Sequence, residues 1–446
     1  MTTPAEHIDQ WLDAHRITEV ECFVPDMAGI ARGKIVPRHK YDPEQGLRLP
    51  EAVLTLTVTG DYPEHDYTSI ADPDMRLIPD AGSLRLVPWA KEPTAQIIHD
   101  CMTFDGTPAD LAPRNALKHI LELYRNDGLV PVIAPEMEFY LVEVEPDEDI
   151  PLRPPVGRTR RTEAGRQSYS IDAVSEYDEL FELIYNWCET QSLALDTLIH
   201  EMGTAQMEIN LDHGNALDLA DQVCCFKRTV REAAIRHNMY ATFMAKPMQG
   251  QPGSAMHIHQ SVLDASGHNL FSRPDGRPAP QFAHFIGGLQ TYLPAAMPFF
   301  APYVNSYRRL SAYTSAPINL SWGYDNRTCG LRVPHSTPQA RRVENRLAGV
   351  DVNPYLAIAA SLACGYLGMQ QKLEPSAPLA GSAYEHPHQL PRHLDDAVDR
   401  LLACQPLADV FGEHFLQAYG AIKRAEHREY LEVISPWERR HLLLHV

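Results

Sequence analysis

The stretch APEMEFYLVE, residues 134–143, places two glutamates two positions apart in an otherwise apolar run. Side chains on a β-strand alternate between its two faces, so Glu136 and Glu138 share one face and Met137 lies on the other. The two carboxylates then stand about 7 Å apart on a strand that is at least half buried. Two neighbouring buried anions are costly, so we expect a cation over them. This segment alone leaves arginine partners or an exposed strand as alternatives to a metal ion.

Three later segments, HEMGTAQMEIN, AMHIHQSV and RRVENR, also carry acidic or imidazole side chains, and in the first two these lie on one face of a predicted strand. Their polar side chains include Glu201, Glu208, His257, His259 and Glu344. Recurrence of the pattern predicts that these groups are collected into one ligand set. A set made mostly of carboxylates with a single histidine favours Mg²⁺ or Mn²⁺ over zinc or copper, because hard cations prefer oxygen. It leaves room for two ions.

Arginines are dense in the segment that follows, in a chain that is otherwise acidic. They are Arg308, Arg309, Arg327, Arg332, Arg341, Arg342 and Arg346. Guanidinium groups suit carboxylate and phosphate oxygens, and beside divalent metals they make a site for phosphoryl transfer. The sequence contains neither a GxxxxGK[ST] loop nor a GxGxxG motif after a strand, so we expect metals and arginines to hold the nucleotide.

Composition excludes several classes of protein. The 446 residues, 44% of them hydrophobic, are enough for two or three domains. A formal charge of −19 argues against nucleic-acid binding, which depends on lysine and arginine. The eight cysteines are scattered without metal-site spacing, and the N-terminus has no apolar signal core, so we expect a reduced, cytoplasmic protein. The apolar run from Tyr355 is too short to span a membrane and predicts a buried helix.

The pattern of strands and helices predicts an α+β protein. Before about residue 105, short β-like runs (VECFVPDMAGIARGKIVP, EAVLTLTVTG and AQIIHDCMTF) predict a small β-rich domain. A helix entered at Pro113 and ended near Gly128 marks the boundary, which divides the chain into domains 1–108 and 109–446. Further helices are predicted at 176–192, 216–237, 353–372 and 394–402. The Pro- and Arg-rich segment 148–167 is interpreted as a solvated loop or a subunit contact.

Taken together, these motifs resemble the glutamine synthetase superfamily, from about Glu19 to about Gly368. The resemblance is strongest to the branch that joins glutamate to amines, the gamma-glutamylputrescine and gamma-glutamylpolyamine synthetases. The matching motifs are DMAGIARGKIVP, APEMEFYL, HEMGTAQMEIN, FMAKPMQGQPGSAMHIHQS, NSYRRL, DNRTCGLRVP and ARRVENRLAGVDVNPYLAIAASL. The resemblance implies a β-grasp N-terminal domain and a catalytic domain with a curved antiparallel sheet flanked by helices. It also implies a dodecamer of two hexameric rings, with active sites between subunits.

Carried over residue by residue, the resemblance implies a role for each motif position. One metal ion is held by Glu138, Glu201 and Glu208, and a second by Glu136, His257 and Glu344. The glutamate substrate is bound by Gly253, Arg309 and Arg346, with His257 and Ser315 also at the substrate pocket. Phosphates are bound by Arg327, Arg332 and Arg342, the nucleotide by His259 and Ser261, and Arg327 and Asp61 are the candidate catalytic groups.

The implied reaction is ATP-dependent ligation of the glutamate γ-carboxylate to a primary amine through γ-glutamyl phosphate. A carboxylate is a poor acyl donor, and phosphorylation converts it into a good one. Glutamate, an amine, ATP and two or more Mg²⁺ or Mn²⁺ ions are the expected partners. Glutamine synthesis from ammonium is the alternative reaction, and a non-catalytic homologue is the alternative class of protein.

Two departures from glutamine synthetases proper favour the amine. Those enzymes hold ammonium with an Asp of an Asp-Gly-Ser-Ser loop and with a Glu on a flap. Here the loop reads TVTGDYPEHDYTSI, with Asp61 as an uncertain counterpart, and the flap, RRLSAYTSAP at 308–317, carries Ser315 in place of Glu. We therefore expect an alkylamine whose carbon tail contacts Tyr313 or Trp322. Acids such as Asp61, Glu64 or Asp66 are expected to receive any second ammonium.

Tyr384 in SAYEHP is a weak match to the tyrosine loop that some bacterial glutamine synthetases use for adenylylation. We interpret it as an ordinary surface residue.

Overall fold

The fold was determined from a computed structural model, which describes residues 2–63, 67–68, 71–145, 147 and 149–446. The strands are β1 (Glu19–Pro25), β2 (Ala31–Pro37), β3 (Leu47–Pro50), β4 (Asp74–Pro79), β5 (Arg85–Leu86), β6 (Thr94–Met102), β7 (Val130–Glu143), β8 (Leu195–His200), β9 (Gln206–Leu211), β10 (Gly214–Asn215), β11 (Met239–Thr242), β12 (Met256–Leu263), β13 (Trp322–Tyr324), β14 (Leu331–Val333) and β15 (Val343–Asn345). The helices are α1 (Pro4–Ala14), α2 (Pro113–Asn126), α3 (Ile171–Ser175), α4 (Asp178–Thr190), α5 (Ala216–Arg236), α6 (Pro280–Phe300), α7 (Val304–Tyr307), α8 (Pro354–Gln371), α9 (Leu394–Leu402), α10 (Gln405–Phe411), α11 (Glu413–Glu432) and α12 (Pro436–Leu442).

The first sheet is built from the N-terminal part of the chain. Its strands run in the order β2-β1-β6-β4-β3, with β5 also paired to β6. The β-like run VECFVPDMAGIARGKIVP is confirmed as β1 and β2, which form an antiparallel hairpin, and β6 confirms the strand predicted from AQIIHDCMTF. The strand predicted from EAVLTLTVTG is wrong, because Glu51–Thr55 forms a single turn of 3₁₀ helix followed by a loop. A short apolar run does not distinguish a strand from one helical turn.

The second sheet crosses the C-terminal part of the chain, with β7 near its centre. Its strands run in the order β13-β14-β15-β12-β7-β9-β8, and β10 and β11 also pair with β7. All of these pairings are antiparallel except that of β13 with β14. The predicted helices are confirmed within a few residues of their expected ends as α2, α4, α5, α8 and α9. The chain therefore has the mixed helix-and-sheet composition that the sequence predicted.

The apolar face of β7 packs into the main hydrophobic core. Met137, Phe139 and Leu141 are fully buried there, and α2 and α5 pack against the strand. α8 is buried on nearly all sides, as the apolar run from Tyr355 predicted. No helix among the described residues is long and apolar enough to cross a membrane. This packing holds β7 through its apolar face, so the polar side chains of β7 lie on the opposite face of the sheet.

A buried ion network at Arg114 joins the two parts of the chain. Arg114 is the second residue of the helix α2 and is only 2% exposed. Its guanidinium lies 2.6 Å from the carboxylate of Asp80 and 2.7 Å from that of Asp221 on α5, and it also pairs with Asp100. The hydroxyl of Tyr355 donates to Asp221 at 2.7 Å. Asp80 and Asp100 follow or lie within strands of the first sheet, so one guanidinium ties that sheet to α2 and α5.

Arg114→Ala is expected to destabilise the fold strongly. Removing the cation leaves the buried Asp221 carboxylate without a charged partner, which costs about 3–5 kcal/mol. The free energy of unfolding, measured by urea denaturation, gives the loss. Arg125→Ala is the matched control on the same helix, since the Arg125–Glu122 pair is largely exposed and surface pairs contribute little. Equal losses in the two variants would contradict the role assigned to the buried network.

Candidate active site

The register of the second sheet brings the predicted polar side chains together. His257 of β12 lies opposite Glu136 of β7, and Glu208 of β9 lies opposite Glu138. On the far side of β12, His259 lies opposite Glu344 of β15. Directly paired residues point to the same face of a sheet, so the alternating pattern on separate strands becomes one continuous polar surface.

All six predicted metal ligands line one cavity of about 370 Å³. They are Glu136, Glu138, Glu201, Glu208, His257 and Glu344. Within the described part of the chain, two groups offer three ligand atoms within 4.8 Å of one another: Glu136 with Glu208 and His257, and Glu136 with His259 and Glu344. Glu136 belongs to both groups, and His259, which the resemblance assigns to the nucleotide, lies at ligand distance. The division of ligands between two ions stays a prediction.

Three neighbouring carboxylates in this cavity disfavour each other's ionised form. Burial raises the pKa of Glu138, Glu201 and Glu208 above the usual range, and neighbouring carboxylates raise it further. Among the described residues, no lysine or arginine lies within 4 Å of any of the three. A divalent cation would relieve this repulsion, and oxygen donors in this number suit Mg²⁺ or Mn²⁺. The donor set therefore fits the predicted ions.

Glu136 and Glu344 are held differently. Burial opposes ionisation of Glu136, but hydrogen bonds with His257 at 3.0 Å and His259 at 2.7 Å keep its pKa below the usual range. Burial also opposes ionisation of Glu344, yet the charge of Arg346 lowers its pKa to about 2. Arg332 donates a second hydrogen bond to Glu344 at 2.7 Å. These two carboxylates stay ionised, and Glu344 links the ligand set to Arg332 and Arg346.

Two of the arginines that line the cavity are buried, and a third is exposed. Arg309 and Arg346 are 3% and 5% exposed, and each has a buried Nε that meets no hydrogen-bond partner in the described structure. Buried donors without partners are rare in native proteins, and here both lie on arginines that line the cavity. Arg327 lines the cavity and is exposed, with no hydrogen bond or ion pair to a described residue. Its guanidinium is free to meet an anionic group.

Gly253 lies where only a glycine fits. A Cβ atom at this position would stand 2.3 Å from Cγ of Arg309 and 2.6 Å from the carbonyl oxygen of Ala245. The carbonyl of Gly253 accepts from Nε2 of Gln206 at 3.1 Å, and the same amide group donates to Glu138 at 3.2 Å. The predicted substrate loop is thus packed directly against Arg309 and the ligand set.

A second cavity of about 580 Å³ holds the predicted nucleotide residues. His259, Ser261 and Arg342 all line it, and Nε of Arg342 lies 3.1 Å from Nδ1 of His259. Glu136 lines this cavity as well as the first. The two cavities therefore share the Glu136 carboxylate in their linings.

Some predicted site residues are not brought to the cavities. Asp61 is exposed on a loop of the N-terminal part and lines neither cavity of its own chain, so its catalytic role stays a prediction. Glu64 and Asp66 lie outside the described residues. The prediction that Trp322 contacts the amine tail is wrong, because its side chain is only 6% exposed and its indole donates to the carbonyl of Ser376 at 2.7 Å.

Sequence reasoning missed Glu163 as a support for the ligand set. Its Oε2 lies 2.9 Å from Nε2 of His200 and accepts from the backbone N–H of Ala205 at 2.8 Å. Nδ1 of His200 in turn lies 2.7 Å from the carbonyl oxygen of Glu201. Much of segment 148–167 is exposed, as predicted, but Glu163 is turned inward. A carboxylate in an irregular, arginine-rich loop carries no periodic signal that reveals such a role.

Comparison with known proteins gives a consistent family. Residues 110–442 match the family model described as the glutamine synthetase catalytic domain. Gamma-glutamylputrescine synthetase PuuA of Escherichia coli (strain K12) is 33% identical, covering 97% of this chain and 93% of its own length. Glutamate–isopropylamine ligase of Pseudomonas sp is 30% identical, covering 97% and 96%. The solved structure of GmaS without ligand has a TM-score of 0.86 and 31% identity, covering 98% of this chain and 99% of GmaS. GmaS has also been solved as a complex with ADP.

Proposed function

The chain belongs to the glutamine synthetase family, and we propose that it joins the γ-carboxylate of glutamate to a primary amine at the expense of ATP. The products are a γ-glutamylamide, ADP and phosphate. Two relatives with 33% and 30% identity along almost the whole chain are a glutamylputrescine synthetase and a glutamate–isopropylamine ligase. Both names describe a bond between glutamate and an amine, which supports the same reaction class here.

The first step moves the γ-phosphoryl group of ATP to the side-chain carboxylate of glutamate. A carboxylate oxygen attacks the γ-phosphorus and the bond to ADP breaks, which gives γ-glutamyl phosphate. The unpartnered donors of Arg309 and Arg346 suit the carboxylates of glutamate, and Gly253 lies beside Arg309 for the amino group. Arg327 and Arg332 line the same cavity and suit the transferring phosphoryl oxygens. ATP would enter from the cavity of His259, Ser261 and Arg342.

Metal ions complete this site. Glu138, Glu201 and Glu208 would hold one ion, and Glu136, His257 and Glu344 a second, with His259 within reach of the second group. When bound, Mg²⁺ or Mn²⁺ supplies positive charge to the phosphate oxygens and relieves the repulsion among the carboxylates. The crowding of Glu138, Glu208 and the half-buried Glu201, none with a lysine or arginine within 4 Å among the described residues, is the observation that carries this part of the proposal.

In the second step, the amine nitrogen attacks the acyl carbon, a C–N bond forms and phosphate leaves. An ammonium ion needs carboxylates around it, yet the described carboxylates that line the cavity all belong to the predicted metal set. The flap contributes only Thr314, Ser315 and Ala316, which are neutral. An amine with a carbon tail gains apolar contacts that ammonium lacks. The neutral flap is the observation that favours the amine over ammonium.

We also propose the assembly that the family resemblance implies. Domain 1–108 would be a β-grasp unit packed on the catalytic domain 109–446 of a neighbouring copy, in a cytoplasmic dodecamer of two hexameric rings. Asp61 is exposed on the N-terminal part and does not line the cavity of its own chain. In such a ring it would reach the cavity of the neighbour.

An amine panel with mass detection of the product tests the reaction. We expect phosphate release that requires glutamate, with kcat/KM for the preferred primary amine at least about tenfold above that for ammonium, since one methylene contributes about 1–3 kcal/mol in an apolar pocket. Reactions without glutamate are the control. Ammonium as the substrate with the highest kcat/KM would identify glutamine synthesis instead, and inert protein would indicate a non-catalytic member.

A further inference from the structure

The flap adopts a backbone that its own sequence disfavours. Tyr313 and Ser315 have φ angles of 63° and 59°, in the left-handed region that glycine prefers, and neither is a glycine. Residues of this kind persist only where surrounding contacts over-determine the conformation. Thr314, Ser315 and Ala316 line the cavity that contains the ligand set, so the strained segment forms part of its wall.

Tyr384 lies outside the flap and makes contacts that hold the flap in its unusual backbone conformation. Its hydroxyl donates to the carbonyl of Ala316 at 3.2 Å, and its ring lies 5.1 Å from the ring of Tyr313. Burial raises the pKa of Tyr384, which keeps the hydroxyl protonated and able to donate. Interpretation of Tyr384 as an ordinary surface residue is therefore wrong, because its side chain is partly buried against the flap.

The segment that carries Tyr384 is itself firmly held. Tyr384 lies in a short 3₁₀ helix, Ala383–Glu385, and Ala383 is fully buried. The backbone N–H of Ala383 donates to Thr328 Oγ1 at 2.8 Å, and its carbonyl accepts from Asn319 Nδ2 at 2.7 Å. The flap's contact with the opposite side, from Arg346 to the carbonyl of Ser315, is longer at 3.4 Å. Tyr384 thus connects the strained flap segment to the hydrogen-bonded segment around Ala383.

We propose that Tyr384 is a positioning residue that holds the flap closed over the cavity and so sets how much acyl phosphate is captured by the amine rather than by water. The inference rests on the proposed function. In capture by amine, nitrogen attacks the acyl carbon, the bond to the phosphate oxygen breaks, and the surplus proton on nitrogen is lost to solvent. In capture by water, a water oxygen attacks the same carbon and the bond to the phosphate oxygen breaks. Glutamate is regenerated, so ATP is hydrolysed to ADP and phosphate and no amide is formed. A loosened flap admits water and shifts the balance towards hydrolysis.

The test is the ratio of γ-glutamylamide formed to phosphate released in Tyr384→Ala, Tyr384→Phe and the wild type. We expect the ratio to fall by about fivefold or more in Tyr384→Ala, with a raised KM for the amine. A smaller fall is expected in Tyr384→Phe, which keeps the ring contact and loses the hydroxyl. Tyr313→Ala removes the ring contact from the exposed side, 78% of Tyr313 being accessible, and is expected to lower the ratio in the same direction even if Tyr384→Ala does not fold.

Tyr366→Ala is the matched control. Tyr366 also combines one hydroxyl hydrogen bond, to Asp127 at 3.1 Å, with one aromatic contact, to Tyr124 at 5.1 Å, and it lines neither cavity. Its ratio of amide to phosphate is expected to match the wild type. An unchanged ratio in folded Tyr384 and Tyr313 variants would overturn the inference. If the wild type prefers ammonium, only the proposed function is overturned. The role of Tyr384 is then tested by the same ratio of amide to phosphate, measured with ammonium as the acceptor.

Discussion

Glu138→Ala and Glu136→Ala are each expected to abolish amide formation, with kcat/KM falling by about 10³-fold or more. Glu138 is 6% exposed at the base of the cavity, and Glu136 lies at the junction of the two cavities. Loss of either carboxylate would remove a ligand from the proposed metal site, whose ions would supply several kcal/mol of charge stabilisation in the transition state, and each ~1.4 kcal/mol is tenfold in rate.

The measurement combines steady-state turnover with Mn²⁺ binding by calorimetry. Both variants are expected to bind Mn²⁺ more weakly than the wild type and to keep its circular dichroism spectrum. Glu138→Gln is the closer match in shape, and it is expected to behave as Glu138→Ala does. Glu143→Ala on the same strand β7 is the control, since Glu143 pairs with Met239 and lines neither cavity. Full activity in either cavity variant would mean that the metal assignment is wrong.

The ligand set was predictable because strand periodicity is a local property. The spacing of Glu136 and Glu138 alone predicts a polar strand face, and the same spacing of polar residues recurs in β9 and β12. The spacing of residues within a strand does not specify the register between strands. His257 lies opposite Glu136, and Glu344 opposite His259, only because β12 pairs with both β7 and β15. The collection of these residues could be proposed from sequence, but their distances could not.

The errors fall where side-chain direction depends on distant packing. Trp322 lies in a short strand, and its ring turns towards Ser376 and away from the cavity. Glu163 lies in an irregular segment and Tyr384 in a three-residue 3₁₀ helix, and neither has a period that indicates which side chain points inward. Their partners are 68 and 37 residues away along the chain, so no local pattern links them. Irregular loops therefore carry the part of this site that sequence analysis cannot recover.

Arg327→Ala is expected to lower kcat by about 10² to 10³-fold while leaving the fold intact. One preorganised donor aimed at developing charge contributes about 2.7–4 kcal/mol to a transition state. Arg327 lines the cavity without a hydrogen bond or ion pair to any described residue, so its removal leaves no buried carboxylate unpaired. This distinguishes it from Arg332 and Arg346, which both pair with Glu344 and whose loss would also disturb the ligand set.

The kinetic pattern of the Arg327 variants separates charge from position. A single-turnover assay of ADP formation with glutamate present reports phosphoryl transfer, and Arg327→Lys is expected to recover part of the rate because it restores a point charge but not the planar fork. Arg308→Ala is the control: Arg308 donates to the hydroxyl of Tyr430 at 2.6 Å and lines neither cavity, so its turnover is expected to match the wild type. If Arg327→Ala transfers the phosphoryl group at the wild-type rate, or if Arg308→Ala is equally impaired, Arg327 does not stabilise the transferring phosphate. A slow Arg327→Ala with an unchanged KM for the amine would locate its action in the first chemical step, before the amine attacks.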